Sequence, residues 1–264
     1  MSGYFGTEQQ RALQERTHAM QSWMRETPGI YNAGRFMGAD DPDKAPWDML
    51  QAILERDRIL GFRMISPDQA ARYFPALIES GHRIDTWDIL VGAADAVAAP
   101  VRAVLESGMP AGVREAPALA DAEGAETQRV QQFLADNGLA PLSGTMLVAR
   151  PGEAKTIVLT DAEGDIVATG HSYFPHNPHS PFHRYAWVGL IAVAESARGT
   201  GLGRYINARL VRAAIDEMAA THVYEMVGPT NLASRKMVEA CGPRLEPNLL
   251  CGVAMPAETA RFTR

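Results

Sequence analysis

Between Val193 and Asn207 the chain reads VAESARGTGLGRYIN, with glycines at 199, 201 and 203 and arginines at 198 and 204. An apolar, β-branched run, YAWVGLIAV, ends where this stretch begins. Leu202, Ile206, Leu210, Ala214 and Met218 then recur at four-residue spacing, with Arg209, Arg212, Asp216 and Glu217 between them. A strand running through a glycine loop into an amphipathic helix is a βα unit, which excludes all-helical and all-strand folds. The start of such a helix offers unpaired N–H groups at its positive dipole end, and glycines let a ligand approach that backbone. The stretch is therefore an anion site, suited to a phosphate or pyrophosphate.

The flanking sequence extends the unit. TMLVAR, KTIVLTD, DIVATGHSYF and YAWVGLIAV read as four strands, with DAEGD as a hairpin turn between the second and third. After the glycine-led helix, HVYEMV reads as a strand, NLASRKMVEACG as a helix closed by Gly242, and NLLCGVAM as a last strand. The expected class is α/β (α+β): a mixed central sheet flanked by helices, in the order β-β-β-β-α-β-α-β. The first half reads as mainly helical. TEQQRALQERTHAMQSWMR and APWDMLQAILERDRIL carry helical apolar spacing, and SPDQAARYFPALIES starts with a serine cap and Pro67. HRIDTWDILVG reads as a short strand before an alanine-rich helix that runs to about Ser107. GMPAGVREAPALADAEGAE is rich in Gly, Pro and Ala, so the expected junction lies near residue 110. It separates a mainly helical 1–110 of unknown role from a sheet-containing 111–264.

Composition narrows the function. Hydrophobic residues make up 46 % of 264, enough for a sizeable core, and the formal charge of −6 disfavours a nucleic-acid partner. Two cysteines, Cys241 and Cys251, do not make a disulfide scaffold, so reduced thiols are expected. The opening MSGYFGTEQQRALQ has no apolar signal region, and no run of 18 apolar residues occurs. These features lead to an expectation of a cytoplasmic protein without a membrane partner, and leave a homodimer open.

Two familiar phosphate loops fail on spacing. A P-loop needs Lys and then Ser or Thr after its last glycine, where this chain has Arg204 and Tyr205. A dinucleotide fingerprint needs a third glycine where Arg204 falls. The stretch Arg198-Gly199-Thr200-Gly201-Leu202-Gly203, preceded by a strand ending in Val193, resembles the acyl-CoA loop of the GNAT superfamily of N-acetyltransferases. Downstream, Asn231, Ser234 and a helix ending in Gly242 match as well, so the resemblance covers about residues 112–257. One family feature is missing: Glu195 stands where a proline is common.

The resemblance implies a GNAT-like fold whose sheet opens between the strand before the loop and the strand after the helix, with acetyl-CoA in the opening. It implies backbone contacts to the pantetheine arm from Ile191, Ala192 and Val193. The N–H groups of Arg198, Gly199, Thr200, Gly201, Leu202, Gly203 and Arg204 would hold the pyrophosphate, and Asn231 and Ser234 would touch the far side of the cofactor. The implied activity is acetyl transfer to an amine of an unidentified small-molecule or peptide acceptor. An acyl-CoA-binding sensor without turnover is the alternative. No glycine loop of this kind occurs in the N-terminal half.

The chain departs from the family at both proton-handling positions. Val238 replaces a tyrosine acid seven residues after the Asn, and Trp187 replaces a glutamate base six residues before Val193. Glu225, inside the strand HVYEMV, either pairs with an arginine or serves as a base through water, with Tyr224 or Cys241 as acid. GHSYFPHNPHSPFHRYAW carries His171, His176, His179 and His183. With no thiolate or carboxylate in that loop, no metal is expected, and the loop is either a stiff hairpin connection or a wall of the acceptor site. Asp85 and Asp88 around Trp87 read as a solvated strand face or as a cradle for a cationic acceptor.

Overall fold

The computed structural model describes residues 2–148 and 150–258. The N-terminal half opens with α1 (Glu8–Ala19), α2 (Gln21–Glu26), β1 (Ile30–Asn32) and β2 (Met37–Ala39). It continues through α3 (Trp47–Asp57), β3 (Leu60–Ile65), α4 (Pro67–Glu79), β4 (His82–Ala93) and α5 (Ala94–Glu106). Then come β5 (Arg114–Glu115), α6 (Ala125–Asp136), α7 (Gly144–Val148), β6 (Ala154–Thr160), β7 (Ile166–Tyr173) and β8 (Tyr185–Val193). The chain ends with α8 (Leu202–Asp216), β9 (His222–Val227), α9 (Leu232–Ala240), β10 (Arg244–Leu245) and β11 (Leu250–Pro256). Among the described residues no helix is long and apolar enough to cross a membrane.

Local chemistry explains most boundaries. α4 starts as expected, with the Ser66 hydroxyl accepting from the Gln69 N–H, the Gln69 side chain closing the box, and Pro67 in the first turn. Thr7 and Gln10 form the same box at α1. TMLVAR is not a strand: its first part is α7. The first turn of α7 is tied down by the N-terminus, with the Gly144 N–H donating to Gly3 O and the Thr145 N–H to Ser2 O. Those donors are then lost to any sheet ladder. HRIDTWDILVG forms the longest strand, β4, rather than a short one.

The strands lie in the order β1-β2-β3-β11-β4-β9-β8-β7-β6-β5, with β10 beside β4. β11 is antiparallel both to β3 and to β4, and β4 is antiparallel to β9. The sheet runs across residue 110: the last strand of the chain sits between two strands of the first half. The strand–helix–strand–helix order of β3, α4, β4, α5 recurs in β8, α8, β9, α9, and each leading strand carries a bulge with a left-handed residue, Met64 (φ 60) and Leu190 (φ 51).

Two cores lie on opposite faces. On one, Leu202, Ile206 and Leu210 of α8 meet Val97 and Val101 of α5 and Val223 of β9. On the other, Val130 and Leu134 of α6 meet Trp187 of β8, Tyr224 of β9 and Cys251 of β11. Strand alternation puts Tyr224 and its neighbours Val223 and Glu225 on opposite sides.

Removing residues 1–110 would bare one edge of β9 and both edges of β11. A fragment of residues 111–264 is expected to be aggregated or to bind ANS with weak near-UV circular dichroism. A monomeric fragment with full near-UV signal would show that β4 is dispensable for packing.

Candidate functional site

The site begins where two parallel strands part. β8 and β9 pair at Tyr185↔His222, Ala186↔Val223 and Trp187↔Tyr224, and no further. β9 stays with β4 up to Asp88↔Val227, while β8 stays with β7. The bulge in β8, where the register shifts between Thr169 and His171 and Leu190 takes φ 51, turns the strand away from β9. A wedge opens between Val188–Val193 and Glu225–Val227, closed at one end by Trp187 and Tyr224. Ile191, Ala192 and Val193 line its β8 side.

The open end leads to the glycine loop. Ala194 is followed by a short 3-10 turn at Glu195–Ala197, then by the loop and α8. Gly201 is the N-cap of α8 with φ 90 and no capping side chain. The N–H groups from Gly199 to Arg204 have no acceptor among the described residues, whereas the Arg198 N–H, expected to join them, donates to Glu195 O at 3.2 Å. Gly199 and Gly201 face open space, and Gly203 lies close to Met237 of α9. Helix start, dipole and bare N–H groups therefore converge on one exposed concavity. α4 is the contrast: Ser66 caps it and Pro67 has no N–H, so it offers no such cradle.

Arg198 is exposed and bends back, donating from Nε to Val193 O at 3.3 Å and from a terminal nitrogen to Asn137 Oδ1 at 3.3 Å. The Thr200 hydroxyl donates to Ala197 O at 2.7 Å. Thr200, Gly201 and Arg204 line a cavity of about 540 Å³ whose other wall is Pro100 and Val104 of α5 and Ser107 at its end. Asn231 caps α9, its side-chain oxygen accepting from the Ser234 N–H at 3.0 Å. The cap role is thus realised, and the Asn231 side-chain amide donates to no described residue.

Residues 125–242 match the family model described as the Acetyltransferase (GNAT) family. The chain therefore carries a GNAT-type domain over that segment. A GCN5-related N-acetyltransferase from Kribbella flavida is similar with a TM-score of 0.58 and 19 % identity, over 84 % of this chain and 81 % of that one. A protein from Drosophila malonogaster is similar with a TM-score of 0.58 and 13 % identity, over 95 % of this chain and 90 % of its own. A GCN5-related N-acetyltransferase-like protein from Streptococcus suis has a TM-score of 0.50 at 17 % identity, over 77 % and 75 % of the two chains. At these identities the likeness is one of fold, and it extends over the N-terminal half as well. No curated protein matches the sequence.

Glu225 is buried on the α8 face of the GNAT-type domain. Its partner is not an arginine: Asn207 Nδ2 donates to its Oε1 at 2.9 Å. Burial pushes its carboxyl from 4.5 up to about 8, with the Asn207 hydrogen bond opposing the rise. Cys241 lies on the same side, its thiol pushed up to about 12 by burial and by Glu225. Asp85 and Asp88 pair with Arg83 and Arg235, are half-buried, and by strand alternation lie on opposite sides of β4, so they form neither one solvated face nor a shared cradle. In the histidine loop, His171 contacts the Thr156 hydroxyl at 2.8 Å, and burial lowers it to about 3. His176 is held inside the protein by Asp40 and Tyr224. Sequence reasoning missed Arg63 and Asp40. The signal for Arg63 was present, a single cation in the otherwise apolar LGFRMI, every residue of which is buried.

Two outcomes are expected. Valine at Gly201 must adopt a left-handed φ, which costs a non-glycine residue about 1–2 kcal/mol, and it thrusts methyl groups into the concavity. Gly201→Val should weaken acetyl-CoA binding at least tenfold by calorimetry, and unchanged affinity would remove the loop from the site. Glu225 holds its proton more tightly folded than unfolded, so its contribution to stability is fullest below pH 4.5 and is lost as pH rises through about 8. Relative to wild type, Glu225→Gln should gain stability between pH 5 and 8, by at most about 1.4 kcal/mol per pH unit. Urea midpoints at both ends of that range check it.

Proposed function

We propose that the protein transfers an acetyl group from acetyl-CoA directly to an amine within a ternary complex. The observation that carries this reading is the wedge between β8 and β9, whose open end meets the uncapped, glycine-lined start of α8. Pyrophosphate would rest on the N–H groups from Gly199 to Arg204. The pantetheine arm would run along Ile191, Ala192 and Val193, while Asn231 and Ser234 flank the cofactor from α9. The thioester then reaches the closed end, between Trp187 and Tyr224. Strand polar groups not used in pairing at the wedge are available to bind the arm and the thioester oxygen.

Glu225 and Tyr224 stand on opposite faces at that closed end, and both remain candidates for proton transfer. Glu225 would take a proton as the carboxylate, which is the minor form below about pH 8. Cys241 is a poor nucleophile, because burial pushes its thiol up to about 12. An acyl-cysteine is accordingly not part of the proposal. The acceptor would arrive from the face bearing the histidine loop and the N-terminal half.

Pure protein mixed with acetyl-CoA and a panel of amino acids, polyamines, amino sugars and peptides should release CoA thiol with at least one amine. Cys241→Ala should keep the rate within about threefold, since the transfer is direct. Thiol release with no amine, despite tight acetyl-CoA binding, would favour a sensor without turnover. An acetylated Cys241 trapped by mass spectrometry would reject direct transfer.

A further inference from the structure

On the face of the sheet opposite α8, three side chains from distant segments form one hydrogen-bonded chain. Asp40 follows β2, His176 lies between β7 and β8, and Tyr224 is on β9. Asp40 Oδ2 lies 2.7 Å from His176 Nδ1, and His176 Nε2 lies 3.0 Å from the Tyr224 hydroxyl. The side chains of His176 and Asp40 are 0 % and 1 % exposed. Tyr224 forms the last rung before β8 and β9 part.

The groups around His176 define its state. Arg63 of β3 donates to the Tyr224 hydroxyl at 3.3 Å, and its guanidinium lies over the rings of Tyr31, at 4.8 Å, and Trp187, at 5.4 Å. Tyr31 of β1 and Phe182 pack against the imidazole at 6.0 and 5.7 Å between centroids. Burial lowers His176 below its usual range, Arg63 lowers it further, and Asp40 opposes both. Burial thus favours the neutral imidazole at pH 7. Its Nδ1–H donates to Asp40, so Nε2 is left to accept from Tyr224.

Two donors beside this chain point to a ligand. Trp187 Nε1 and Arg63 Nε are buried and have no partner among the described residues. Leaving such groups buried and unpaired is unfavourable, more so for the charged one. Arg63 reaches the Tyr224 hydroxyl through a terminal nitrogen and lies over the ring of Trp187, the residue paired with Tyr224 at the closed end of the wedge, so an oxygen-bearing substrate at that end is the partner the two donors lack.

We propose that Tyr224, His176 and Asp40 form a proton relay for the acyl transfer, with Tyr224 touching the reacting atoms and the other two acting through it. This rests on the reading of the wedge as an acyl-CoA site. The neutral amine forms a C–N bond to the thioester carbon. Its proton passes to the Tyr224 oxygen as the Tyr224 proton passes to His176 Nε2. The C–S bond breaks with its electron pair on sulfur, and the proton returns from His176 through Tyr224 to the thiolate. Amine and thioester become amide and thiol, and the relay ends as it began. Arg63 stabilises negative charge on the Tyr224 oxygen during the passage, and Asp40 stabilises the imidazolium.

Nitrogen NMR of full-length protein carrying labelled histidine should find His176 neutral and protonated on Nδ1 at pH 7. Protonation on Nε2, or an imidazolium, would overturn the relay. With acetyl-CoA and the best amine of the panel, Tyr224→Phe should lower kcat about 10²–10⁴-fold while leaving KM for acetyl-CoA within threefold. A loss under about tenfold overturns the role of Tyr224. Asp40→Asn should lower kcat and move the acid limb of the pH profile downward, because the imidazole loses its neighbouring carboxylate. Should that variant fail to fold, 3-fluorotyrosine at position 224 keeps the shape with a more acidic phenol and must shift the profile. An unchanged profile overturns the relay. The two readings fail differently: no thiol release by wild type rejects the transferase, whereas turnover indifferent to Tyr224 rejects the relay alone.

Discussion

β9 is held along its length by β4 and for only three residues by β8. The unequal pairing depends on the bulge in β8, where Leu190 adopts φ 51. If β8 were a straight strand, its ladder would continue to Val193 and the space between the strands would be filled by backbone hydrogen bonds. The bulge gives up those bonds and leaves peptide groups for a guest chain. It also fixes where β8 ends, and so where the glycine loop and α8 begin. Cradle, wedge and closed end share one axis because they lie on consecutive parts of one strand and its neighbour.

The repeated strand–helix–strand–helix order makes the N-terminal half comparable to the C-terminal one, yet only one of them is open. In the first half β11 fills the space between β3 and β4, pairing with both. Its following helix is capped by Ser66 rather than left bare. The half that lacks an anion cradle instead contributes structure to its partner: α5 walls the cavity beside Gly201, and Arg63 and Asp40 line the far face of β9.

Buried charge is concentrated at the end of the wedge. Glu225 on one face has a single amide as partner, and Arg63 on the other has aromatic faces and a phenol. Desolvating either ion costs several kcal/mol when it is unpaired. Glu225 meets that cost by holding its proton. Arg63 cannot lose its proton, and its guanidinium is held by the Tyr224 hydroxyl and the ring faces of Tyr31 and Trp187. The two residues next to each other in HVYEMV thus face opposite electrostatic environments because strand alternation sends them to opposite sides.

The sequence by itself determined the local units. Apolar periodicity set α8, the serine cap and Pro67 set α4, and the three glycines made the anion cradle, because each depends on dihedral preferences and on groups within a few residues. The same locality explains the error at TMLVAR: the N–H groups of Gly144 and of Thr145, its first residue, are taken by Gly3 and Ser2, far away in the chain. Glu225 was legible as a misplaced carboxylate, but its partner Asn207 was not, since helix α8 had first to be laid on β9. Only the tertiary structure decided that β11 crosses into the first half, that β8 and β9 part after Trp187, and that Asp40, Arg63 and His176 gather around Tyr224. Those residues span positions 40 to 224, and no periodicity encodes their meeting: it follows from strand order and register, which are settled by which apolar faces bury one another.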